Sequence, residues 1–90
     1  GQPPVEARTL AYDPAHVAAL AGIDVAPAEQ QAILNRLGFG VTVSPGKTEI
    51  EDGVPVKAAD RWTITVPTWR RDIDGSADIV EEVVRVHGLD

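Results

Sequence analysis

The hydrophobic period of the chain changes from two to about 3.6 within the short segment between Val66 and Ser76, and this change restricts the fold more than any other feature. Upstream, Trp62, Ile64 and Val66 alternate with Arg61, Thr63 and Thr65, the cleanest strand pattern in the chain, which Pro67 ends. Downstream, Ile79, Val80, Val83, Val84 and Val86 recur at helical spacing. Asp74 or Ser76 is positioned to cap that helix, which is expected to run to about His87 with Gly88 at its C′ position.

The rest of the chain divides in the same way. Arg8 to Tyr12 reads as a short strand, and Asp13-Pro14 as an N-cap followed by proline at N1, opening a first helix that carries Val17, Leu20 and Ala21 and stops at Gly22. Pro27 opens a second helix with Ile33, Leu34 and Leu37 on one face, and Gly38 closes it. Phe39, Val41 and Val43 alternate as a strand would, and Ser44-Pro45-Gly46 turns the chain. Between Lys47 and Asp60 short strands are expected around the Asp52-Gly53 turn. Two short N-terminal helices, a small antiparallel sheet with a wing and a C-terminal helix make an α+β domain over residues 8–90, preceded by a linker over residues 1–7.

Composition narrows the function. Ninety residues allow a single core of modest size, built mainly from Ala, Val, Ile and Leu. The absence of cysteine removes disulfides, thiolate zinc sites and thiol nucleophiles, and points to a reducing cytoplasm. No apolar run approaches the roughly 20 residues of a membrane span, and the N-terminal residues lack the pattern of a signal peptide. The chain begins at Gly1 and stops at Asp90 directly after a helical pattern, as a domain taken from a longer polypeptide would. A formal net charge of −6 opposes general nucleic-acid binding, which draws its affinity from Lys and Arg on phosphates, although Arg61, Arg70 and Arg71 could form a local basic patch. His16 and His87 have no zinc-type spacing, and neither Ser44 nor Ser76 sits in a nucleophile motif.

Chemistry, where there is any, falls on the last helix. At about 100° per residue, Asp78, Glu81, Glu82 and Arg85 share one arc opposite the apolar face, and Asp72 lies just upstream, where a turn at Ile73 to Gly75 could fold it toward the first helical turn. The plain reading is a solvated acidic stripe, with Asp78 at the positive helix end and Glu81 paired to Arg85 at i,i+4. The sharper reading is a hard-cation site, since carboxylate oxygens suit Mg²⁺ and Ca²⁺. Four carboxylates would overcharge one dication, so some of them would lie behind the direct ligands or a partner's cation would complete the site. Trp69, with Arg70 and Arg71 in the turn, could dock another protein or an RNA backbone; the plainer reading is that it packs on its own helix and that Arg70 forms an ion pair with a carboxylate.

The run Pro67-Thr68-Trp69-Arg70-Arg71-Asp72-Ile73, followed by Ala77-Asp78-Ile79-Val80-Glu81-Glu82-Val83-Val84-Arg85-Val86-His87-Gly88-Leu89-Asp90, resembles a signature of the β subunit of bacterial phenylalanyl-tRNA synthetases, in the module called the B-five domain. The Leu20-Ala21-Gly22-Ile23 step and the Leu34 to Leu37-Gly38-Phe39 helix exit resemble the same family. His87 departs from it, standing where an aromatic is more usual. The resemblance implies a winged-helix-like fold and a non-catalytic structural and interface module. It also implies an α2β2 phenylalanine–tRNA ligase whose α subunit handles ATP and phenylalanine, and a Mg²⁺ site shared with that subunit. By motif position the implied magnesium ligands are Asp72, Asp78, Glu81 and Glu82. The parent would charge tRNA-Phe in the cytoplasm, and the chain alone is expected to be monomeric and without catalytic activity. The alternative from fold alone is an autonomous winged-helix nucleic-acid binder.

Overall fold

The computed structural model describes residues 7–88, so most of the expected linker and the Leu89-Asp90 end of the motif lie outside the described residues. The elements run β1 (Arg8–Tyr12), α1 (His16–Ala21), α2 (Pro27–Arg36), β2 (Gly40–Ser44), β3 (Thr48–Glu51), β4 (Val54–Lys57), β5 (Arg61–Val66) and α3 (Ser76–His87). The domain is α+β and winged-helix-like, as expected. Strand β5 is central in an antiparallel sheet of order β1-β5-β2, and β3 and β4 form a separate hairpin.

Register explains which sheet face is buried. Leu10 and Val41 flank Ile64, and Tyr12 and Val43 flank Trp62, so these side chains share one face. Ile64, Val66 and Trp62 are buried there. Helix α3 covers that face with Ile79, Val80 and Val83, and α1 and α2 complete the core with Val17, Ile33 and Leu34. Burying these aliphatic side chains at roughly 1.5–3 kcal/mol each is the main force holding the helices to the sheet.

Gln30 crosses this apolar interior. It is the buried polar residue of the described part, 1% exposed. Its Oε1 accepts from the Tyr12 hydroxyl at 2.5 Å, and its Nε2 donates to the carbonyls of Val25 at 2.9 Å and Pro14 at 3.0 Å. One amide thereby ties β1, the turn before α1 and the α1–α2 connection together, while no buried side-chain polar atom among the described residues lacks a partner.

Helix ends follow the sequence in part. Gly38, at φ 92°, lets the chain leave α2 through paired bonds, Phe39 N–H to Leu34 carbonyl at 2.9 Å and Gly38 N–H to Asn35 carbonyl at 3.1 Å. Other termini differ from expectation. Asp13 caps a turn rather than α1, accepting from Ala15 N–H at 2.9 Å, and the helix begins only at His16. At α3 neither Asp74 nor Ser76 provides the side-chain cap. The Asp78 carboxylate does so from inside the helix, accepting from Asp74 N–H at 2.8 Å and Gly75 N–H at 3.1 Å. Gly88 stays right-handed at φ −72° instead of forming a left-handed C′, because its N–H still bonds to the Val84 carbonyl.

Candidate functional site: an arginine-centred acidic face

Pro67 ends β5 and is buried, so the segment from Thr68 to Asp74 must turn sharply to start α3 beside the sheet. Arg70 N–H closes that turn on the Pro67 carbonyl at 3.0 Å, and the Arg8 guanidinium donates to the Arg70 carbonyl at 2.7 Å. The turn is thus fastened to β1, and Ile73, 1% exposed, anchors its other end in the core.

These fixings aim the Arg70 side chain at the acidic helix. Its Nε and Nη2 donate to both oxygens of Asp72 at 3.0 Å, and Nη2 also reaches Glu82 Oε1 at 2.6 Å. The guanidinium lies 5.6 Å from the Phe39 ring centroid, within cation–π range. Glu82 is completed by Arg85 at 2.5 Å, an i,i+3 contact. The expected Glu81–Arg85 pair is therefore replaced by Glu82–Arg85. Glu82, with only 13% of its side chain exposed, is the carboxylate that most needs a counter-charge.

The electrostatics follow from the contacts. Burial pushes the Glu82 carboxyl up, but hydrogen bonds from Arg85 and Arg70 outweigh it and hold the group below the usual carboxylate range. Arg70 chiefly holds the exposed Asp72 carboxyl down as well. Asp72 and then Glu82 raise the Arg70 guanidinium further above its already high value, so it stays cationic throughout.

The four sequence-derived acidic residues are consequently not equivalent. Asp72 and Glu82 converge on Arg70, Asp78 spends one oxygen on two amides of the helix start, and Glu81 is exposed. Among the described residues no group of three or more His, Cys, Asp or Glu side chains is drawn together as a metal cage. The donor chemistry nevertheless suits a hard cation, because among the described residues Glu81 and the second oxygen of Asp78 remain uncommitted on adjacent turns of α3. Glu81 also borders a shallow apolar depression between α1 and α3, lined by Leu20, Ala21, Ala77, Val80 and Val84.

Trp69 does not pack on α3. It is 72% exposed, with one ring edge beside Gly38. Arg8, Phe39 and Gln30 escaped the sequence reading as partners of the site and its scaffold; the aromatic at position 39, placed directly after a helix-terminating glycine, was the one local hint. His87 is placed away from the acidic cluster, its Nδ1 3.0 Å from Glu29 Oε1, where it joins the end of α3 to the start of α2.

A winged-helix-like α+β domain with a conformationally fastened Trp-Arg-Arg-Asp turn and an acidic third helix defines the class of module. The chain belongs to the tRNA synthetase B5 domain family, whose model matches residues 10–89. The phenylalanine–tRNA ligase β subunit of Novosphingobium aromaticivorans is 51% identical over the whole chain, that of Rhodospirillum rubrum 42% and that of Zymomonas mobilis 38%. The chain spans only 9%, 10% and 9% of the lengths of these relatives, respectively. No solved structure matches the chain.

Proposed function

We propose that this chain is a non-catalytic structural and interface module of a phenylalanine–tRNA ligase β subunit. The observation that carries the proposal is the similarity to such subunits along the entire chain, 51% identical in one relative. Its parent would attach phenylalanine to tRNA-Phe with ATP in the cytoplasm, the chemistry residing outside this domain in the α subunit of an α2β2 enzyme. No helix among the described residues is long and apolar enough to cross a membrane.

The acidic face of α3 is the surface proposed to meet the α subunit. Glu81 beside the Leu20 and Val84 depression supports this, since an open carboxylate at an apolar margin suits a protein interface better than an isolated solvated helix. Within the assembled enzyme Asp72, Asp78, Glu81 and Glu82 would supply carboxylate oxygens to a shared Mg²⁺. Mg²⁺ keeps several waters and takes one or two carboxylates directly, which fits Asp78 and Glu81 as the direct donors. Asp72 and Glu82 would set the local charge through Arg70. The bound ion would supply a fixed positive charge at this acidic face, while the residues of this chain position and neutralise one another.

Co-expression with the α subunit tests the proposal. Asp78→Asn with Glu81→Gln should weaken assembly and shift its Mg²⁺ requirement to higher concentration, leaving the isolated domain folded. Unchanged assembly and unchanged Mg²⁺ dependence would return the acidic face to ordinary solvation. The autonomous nucleic-acid reading is opposed by the net charge of −6 and by Glu49, Glu51 and Asp52 on the hairpin.

A further inference from the structure

The β3–β4 hairpin packs on no other strand or helix among the described elements. A lone two-stranded hairpin is marginal in water, and this one leaves Ile50 69%, Val54 58% and Val56 44% exposed. Asp52 and Gly53, with φ of 50° and 77°, form the two-residue turn of the I′ type, so the closing pair Glu51–Val54 exchanges both ladder bonds. Alternation then makes Glu49–Val56 a bonded pair, and the next, Lys47–Ala58, is seen bonded at 2.9 Å. The intervening pairs, Ile50–Pro55 and Thr48–Lys57, direct their backbone N–H positions outward.

The two outer edges are therefore unlike. Strand β4 has Pro55, which lacks an N–H, at one outward position and Lys57 at the other, both devices that discourage strand addition. Strand β3 has outward donors at Thr48 and Ile50 with no such block. Glu49, Glu51, Val54 and Val56 share one face, which is apolar and acidic, with Lys47 following at its stem end. Glycine is required at the stem, because a Cβ on Gly46 would come within 1.9 Å of the Ala58 carbonyl oxygen.

We propose that the outer edge of β3 receives an extended protein segment as an added strand in the assembled synthetase. That segment alternates apolar residues with Lys or Arg, the basic residues falling beside Glu49 and Glu51 and the apolar ones beside Ile50 on the opposite face. Charge complementarity and the free donors select it, and the parent has ample chain outside this domain, which spans 9% of a relative. The inference rests on family membership and is independent of the acidic face of α3.

Residue-resolved hydrogen exchange of the 90-residue chain and of the full-length β subunit assembled with α tests it. The Thr48 and Ile50 amides, open in the lone chain, should exchange about tenfold more slowly or slower still in the assembly. Ile50→Pro keeps the internal ladder, because that N–H takes no part in it, but should abolish the protection of Thr48. Ile50→Ala should retain it, and Glu49→Lys with Glu51→Lys should remove it while Trp62 fluorescence reports an intact body. Equal exchange in both states would overturn the inference, as would protection that needs added tRNA or that rises with concentration of the lone chain. Assembly that persists with an open β3 edge would refute this inference and leave the α3 interface proposal standing. Loss of assembly in the Asp78/Glu81 variant would bear on the latter alone.

Discussion

Replacing Gln30 by methionine nearly conserves volume and removes three hydrogen bonds at once. The Tyr12 hydroxyl and the Val25 carbonyl lose their partners in the interior, each costing about 1–3 kcal/mol, whereas the half-buried Pro14 carbonyl can regain water. The expected loss is about 3–4 kcal/mol. That is a large share of the roughly 5–13 kcal/mol available to a domain of this length. Tyr12→Phe removes one donor and should cost about 1–2 kcal/mol. Because both changes delete the same 2.5 Å bond, the double variant should be less destabilised than the sum of the singles, by about 1 kcal/mol. Urea unfolding read by tryptophan fluorescence suits the measurement, since Trp62 is buried and its ring centroid lies 6.0 Å from that of Tyr12. A Gln30→Met chain within about 0.5 kcal/mol of the parent, or strictly additive variants, would refute the claim that this amide organises the core.

Burial, aided by the nearby Asp13 charge, pushes the Tyr12 hydroxyl up to about 12. The folded state therefore favours the neutral phenol, and this stabilising contribution is complete below the unfolded value near 10 and lost as pH rises through about 12. Tyr12 is the only tyrosine in the sequence, so ultraviolet titration should show ionisation delayed in the folded chain and ordinary in urea. Arg70→Met should destabilise the domain by about 2 kcal/mol at neutral pH, because half-buried Glu82 is left with Arg85 alone. Glu82 is held low in the folded parent, so its contribution exists above the unfolded carboxyl value and disappears as pH falls through the folded one. The stability gap should accordingly narrow on acidification, and Glu82→Gln should rescue part of the loss in the Arg70→Met background. Gly38→Ala should cost about 1–2 kcal/mol, since its φ of 92° is strained for alanine and its Cβ would sit 3.3 Å from Trp69; thermal unfolding would measure it.

Local signals accounted for most of the elements. The alternation of Trp62, Ile64 and Val66, the prolines opening turns or helices, and Asp52-Gly53 each act within a few residues, and the strands and helices they imply are present. Cap identities were less legible, because Asp74, Ser76 and Asp78 all have suitable oxygens and only the path of the chain decides which meets the free amides. Periodicity likewise placed Asp78, Glu81 and Glu82 on one helix face, but it carried no information about how deeply each would be buried.

Covalent neighbours and helical spacing suffice for an acidic amphipathic helix after a Trp-Arg-Arg-Asp turn and for the family signature, so both were legible in the chain alone. Long-range packing sets the rest: Arg70 neutralises Asp72 and Glu82, Arg85 pairs with Glu82 instead of Glu81, and Glu81 stays open among the described residues. Those choices depend on Arg8 and Phe39, which are distant in sequence, and on the burial of neighbouring Ile73 in the core; together they fix where a long charged side chain can reach. Between the two neighbouring helix carboxylates, pairing follows desolvation: Glu82, buried more deeply than Glu81, takes Arg70 and Arg85, and no local pattern reveals which one that will be.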